Sequence, residues 1–169
     1  MNKPLPRVIR VLEGTSVDGP GLRTSIYFSG CRHQCPGCHN PHTWDYAAGS
    51  ETSIEELLAC IDYNENNVTF SGGDPMYQAL AIIPLAKAIK ERGYNIWCYT
   101  GFLFEELLGS KAPEGSKELL QYIDVLVDGP FIMTQKNSEL HFRGSENQRI
   151  IEVHDSLAKG SVVLWKQPL

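Results

Sequence analysis

Apolar, β-prone runs alternate along this chain with stretches of helical period. Residues 24–28 (TSIYF), 67–71 (NVTFS), 95–100 (NIWCYT) and 123–128 (IDVLVD) each read as a strand. Residues 149–153 (RIIEV) and 161–165 (SVVLW) read as two more. Ile54, Leu57, Leu58 and Ile61 fall on one helical face, with a capping box at Thr52 and Glu55 or at Ser53 and Glu56. Asp74-Pro75 has the form of an N-cap followed by proline at the first helical position. The helix behind it should end near Gly93, with a kink or break before Pro84. Leu107, Leu119 and Leu120 mark weaker helical stretches split by Pro113 and Gly115. This alternation predicts an α/β fold, a parallel sheet with right-handed crossovers and helices outside. The 169 residues fit one domain, 1–169, with no internal repeat or linker.

In such folds ligands bind beyond the carboxyl ends of the strands. The first strand here runs into Cys31. The second ends in Ser71-Gly72-Gly73-Asp74, the third in Thr100-Gly101 and the fourth in Asp128-Gly129. Each end is polar or glycine-rich, so the pattern predicts that they converge on one rim.

The densest chemistry on that rim is C-x3-C-x2-C: Cys31, Cys35 and Cys38. Three thiols this close cannot all pair as disulfides, and they can reach one inorganic centre. An iron–sulfur cluster held by three thiolates keeps one iron open. A structural zinc site, with His33, His39 or His42 as fourth ligand, is the alternative. The chain has no second cysteine knuckle, which favours the cluster. Cys60 and Cys98 read as small buried hydrophobes. A net charge of −5 and a pI near 5.5 argue against a nucleic-acid partner. No apolar run approaches the roughly 18 residues of a membrane span, and MNKPLPRVIR has no apolar signal core. The expected location is the cytoplasm, where thiols stay reduced.

Residues 17–45, VDGPGLRTSIYFSGCRHQCPGCHNPHTWD, resemble the radical S-adenosylmethionine family, in particular its activases of glycyl-radical enzymes. TFSGGDP, VLVDGPF and FRGSENQRI narrow the resemblance to the activases of anaerobic ribonucleotide reductase, over about residues 17–153. The resemblance implies a single 4Fe-4S cluster on Cys31, Cys35 and Cys38, with S-adenosylmethionine on the fourth iron. One-electron cleavage of that sulfonium yields a 5′-deoxyadenosyl radical, which takes hydrogen from a glycine of the partner. It also implies a flavodoxin or ferredoxin-type electron donor. The expected architecture is an incomplete β/α barrel of the radical S-adenosylmethionine type, since a full eight-fold barrel takes about 250 residues.

The resemblance assigns cofactor binding to Ser71, Gly72, Gly73 and Asp74, which match the family's GGE motif with aspartate in place of glutamate. It adds Gly37, where many members carry an aromatic residue, and His39, Thr100 and Asp128. It assigns contact with the partner to Asp18, Gly19, Arg143 and Asn147. An activase for another glycyl-radical enzyme such as pyruvate formate-lyase, a small-molecule radical enzyme, and a non-enzymatic zinc module are the competing readings.

Overall fold

The computed structural model describes residues 4–38 and 41–166. Seven strands form one sheet in the order β3-β1-β2-β4-β5-β6-β7. They are β1 (Arg7–Thr15), β2 (Arg23–Phe28), β3 (Ser50–Glu51), β4 (Asn67–Gly72), β5 (Ile96–Tyr99), β6 (Val125–Asp128) and β7 (Arg149–Glu152). The fold is mixed α/β. β2, β4, β5 and β6 run parallel, as expected for strands joined through helices.

The edges correct the expectation of a parallel sheet. β1 pairs antiparallel with β2 and with β3, and β7 pairs antiparallel with β6. The link from β1 to β2 is too short for a crossover, which needs a dozen or more residues. The link from β6 to β7 holds only a 3-10 turn, Met133–Gln135, so no helix carries the chain back for a parallel return. Residues 161–165 are not a strand; they make one isolated bridge, Ile151 to Leu164.

The helices α1 (Ile54–Asn64), α2 (Ala79–Glu91), α3 (Phe104–Leu107), α4 (Ser116–Leu120) and α5 (Val153–Lys159) pack on one face of the sheet. Strand parity sorts the side chains. Ile26, Phe70, Cys98 and Leu126 lie in register across β2, β4, β5 and β6 and meet Leu57, Ile82, Leu85 and Leu119 in the main core. Each fully buried Ile, Leu or Phe there contributes roughly 1.5–3 kcal/mol. The alternate row, Ser25, Thr69, Trp97 and Val125, faces the other way. On that face Trp97, Val125 and Val127 form a small cluster with Phe142 and Trp165.

Ser53 caps α1, its hydroxyl accepting from the Glu56 N–H at 3.1 Å. Of the kink or break expected before Pro84, the break does not occur: α2 runs on through Pro84. The carbonyl orphaned by Pro84 belongs to Leu80, a residue 44% exposed, where water can satisfy it. Among the described residues no helix is long and apolar enough to cross a membrane.

Candidate functional site

The carboxyl ends of β2, β4 and β5 meet at a cavity of about 390 Å³. Cys31, Cys35 and Cys38 line it together with Ser71, Gly72, Gly73 and Thr100. The fourth strand end contributes Gly129 and not Asp128. Tyr99 and Phe131 also line the cavity. Sequence reading passed them over; each adjoins a motif it had marked, and that adjacency was the available signal.

The cysteine loop leaves β2 and is closed at its base. Gly30 N–H donates to the Thr43 carbonyl at 2.7 Å and Cys31 N–H to that of Trp44 at 3.1 Å. Within it, Cys38 N–H reaches the Cys35 carbonyl at 3.0 Å. Burial pushes the Cys31 thiol up to about 11, against the backbone donors at His33 and Gln34, with Asp74 and Cys35 adding to the rise. Metal binding must therefore displace a proton there. Among the described residues no three His, Cys, Asp or Glu side chains are drawn into a ready-made metal group. The donor set still fits an iron–sulfur centre: three thiols on one loop line one cavity, and His33, which lines it too, has its Nε2 taken by a carboxylate. That nitrogen donates to Asp74 Oδ2 at 2.7 Å.

The double glycine follows from the parallel register, which sets Gly72 opposite Phe28. A Cβ on Gly72 would lie 2.4 Å from the Phe28 carbonyl oxygen, and one on Gly73 2.5 Å from that of Gly30. Only glycine lets the end of β4 lie this close to the root of the cysteine loop. Gly73 N–H and Asp74 N–H complete the seam, donating to Phe28 and Gly30 at 2.8 and 2.9 Å.

Asp74 is buried behind this wall and is the N-cap foreseen, accepting from the Met76 N–H at 3.0 Å. Asp128 is also buried; its oxygens take the Phe104 N–H and the guanidinium of Arg149. Gly37 lies under Met133, whose methyl occupies the space a Cβ would need, with Phe131 beside it. His39 lies outside the described residues.

Asp18 sits on the cavity wall, held by the Tyr27 hydroxyl and by Thr69, whose hydroxyl donates to the Asp18 carbonyl at 2.7 Å. Gly19 packs on Arg23 and Trp97. Arg143 lines the cavity, donating to the Gln148 carbonyl at 2.7 Å. Asn147 staples its loop, donating to the Pro130 carbonyl at 2.7 Å and accepting from the Ser145 hydroxyl at 2.6 Å. Gln148 does the same at Gly129, with its Oε1 taking the Gly144 N–H.

Residues 17–151 match the family model described as a 4Fe-4S single cluster domain. An anaerobic ribonucleoside-triphosphate reductase-activating protein from Vibrio cholerae serotype O1 is 38% identical over 144 residues, 79% of this chain and 90% of that protein. The protein of the same description from Escherichia coli K12 is 35% identical over 78% of this chain and 89% of its own. That from Enterobacteria phage T4 is 32% identical over 85% and 92%.

The chain belongs to the anaerobic ribonucleoside-triphosphate reductase-activating protein family.

The segment matched to the cluster domain contains the cysteine loop and every strand end on the cavity. A crystal structure of QueE from Escherichia coli is also similar, at 20% identity and a TM-score of 0.47 over 57% of this chain and 52% of that one, a likeness too slight to define the fold.

Proposed function

We propose that this activating-protein family member generates the glycyl radical of anaerobic ribonucleotide reductase, using a 4Fe-4S cluster and S-adenosylmethionine. The observation that carries the reading is three cysteine thiols sharing one cavity with the double glycine of β4 and with Thr100. When bound, the cluster and nucleotide supply one-electron cleavage of a sulfonium to a 5′-deoxyadenosyl radical, which oxidises a glycine Cα–H of the reductase.

The rest falls to the chain. Cys31, Cys35 and Cys38 are the three protein ligands in this reading. Ser71 and the backbone of Gly72 and Gly73 line the same cavity and would hold and orient the nucleotide. Thr100 lines that cavity too. Gly37 offers backbone only, and the apolar flank that an aromatic neighbour would give is supplied by Met133 and Phe131. Asp18 and Arg143, anchored at the cavity wall, meet the reductase, and Gly19 and Asn147 shape the turns that present them. Helices on one sheet face only, with loops on the other, support an incomplete barrel open to a large partner. A cytoplasmic setting and a flavodoxin or ferredoxin-type donor complete the proposal.

The test is anaerobic reconstitution with iron and sulfide, then addition of reductant, S-adenosylmethionine and the reductase. The expected products are 5′-deoxyadenosine and a glycyl-radical EPR doublet. A reconstituted chain that carries iron yet yields neither would refute the proposal.

A further inference from the structure

We infer that Asp74 acts through His33: the two form a latch holding the cysteine loop against the ends of β4 and β5, and Asp74 itself receives no ligand. A carboxylate offers about four acceptor directions. Those of Asp74 are filled on both oxygens: Oδ1 takes Met76 N–H at 3.0 Å and Oδ2 takes Gly101 N–H at 2.9 Å and His33 Nε2 at 2.7 Å, while the Thr100 hydroxyl lies across the two, 3.1 Å from Oδ1 and 2.9 Å from Oδ2. The side chain is 1% exposed, so an incoming ammonium finds no free acceptor and no path to one.

The histidine side is as constrained. Its ring stands edge-on to Phe102, 4.5 Å between centroids, with Tyr77 at 5.6 Å. It lies so flat on the backbone of Gly101 that a Cβ there would come 2.6 Å from His33 Cδ2. His33 sits midway between Cys31 and Cys35. Fixing its ring therefore fixes the loop segment that carries two of the three thiols. The shorter aspartate suits this role: one more methylene would carry the carboxylate out of its four-donor nest. Asp74 and His33 are thus positioning residues. A charge-assisted hydrogen bond between a half-buried ring and a buried carboxylate is among the stronger ties available to a loop this short.

The inference rests on the proposed function only in what the latch is for; its geometry can be tested without iron. In the metal-free chain, His33→Phe keeps a ring against Phe102 and Tyr77 but removes the donor. Alkylation of Cys31, Cys35 and Cys38 by iodoacetamide, followed by mass spectrometry, should then accelerate about tenfold, the factor expected when a charge-assisted hydrogen bond no longer holds the loop closed. His33→Gln, whose amide can donate to Asp74, should return the rate to within about threefold of the parent. Unchanged alkylation in His33→Phe overturns the latch.

In the reconstituted protein, His33→Phe and Asp74→Asn should each raise KM for S-adenosylmethionine more than they lower kcat. The double variant should lie within about twofold of the worse single one, because both break the same tie. Multiplying effects would mean that Asp74 has a contact of its own with the nucleotide, and would overturn the inference. A parent protein that cleaves no S-adenosylmethionine, yet shows the expected alkylation pattern, would sink the proposed function and leave the latch standing.

Discussion

Arg149 closes over the buried carboxylate of Asp128, with Nε 3.0 Å from Oδ1 and Nη2 2.6 Å from Oδ2. The same guanidinium reaches Glu105 at 2.7 and 3.1 Å, so one arginine ties the end of β6 to α3. Asp128 is 0% exposed and its other partner is the Phe104 N–H. Arg149→Ala should therefore cost about 2 kcal/mol, mostly from leaving a buried carboxylate short of donors. The urea midpoint should fall with the slope unchanged. A midpoint matching the parent would mean that Arg149 adds nothing to the fold.

Iron content separates the cysteines. Cys35→Ala should abolish cluster retention and cleavage of S-adenosylmethionine after anaerobic reconstitution. Cys60→Ala should keep both, since Cys60 sits on α1 bonded to Glu13. Bleaching by Cys60→Ala alone would overturn the ligand assignment.

Cys60 also carries a pH signature. Burial, and then the hydrogen bond and charge of Glu13, push its thiol from 9.0 up to about 11. The folded pKa is raised, so the stabilisation is present below pH 9 and is lost as pH climbs through about 11. Alkylation of Cys60 in the folded chain should follow that higher midpoint. Glu13→Gln should bring the midpoint down part of the way, because burial is the larger cause and remains. A Cys60 that titrates at its ordinary value in the parent would refute this.

Gly73→Ala tests the seam between β4 and the cysteine loop. Its Cβ would meet the carbonyl oxygens of Gly30 and Thr43 at 2.5 and 2.9 Å, and backbone atoms cannot rotate aside. The expected cost is about 1–3 kcal/mol, with iron retention lost ahead of the fold. Parent-like melting and iron content in this variant would show that the seam is loose.

The four parallel strands were legible because each is a compact apolar run between turn residues, and the cysteine loop because its chemistry is local. β1 escaped notice: RVIRVLEGT mixes Arg and Glu with its valines, and most of its residues are only half-buried. Residues 161–165 misled for the opposite reason. They are apolar enough for a strand, yet their pairing with β7 is a single bridge at Leu164, flanked by the backbone hydrogen bonds of Val163 and Trp165. Asp74 and His33 lie 41 positions apart, so nothing local announced that they would meet. The ion pair of Asp128 was equally hidden: its partner, Arg149, comes beside it only when β7 folds back antiparallel.

The in-register rows across β2, β4, β5 and β6 have a consequence for how this chain can change over time. Deleting or adding one residue within β4 would swap Phe70 and Thr69 between oily and polar environments and carry Ser71 away from the cavity in the same stroke. Core and chemistry share one reading frame, so such a lineage can lengthen its loops freely but cannot edit the middle of its strands one codon at a time.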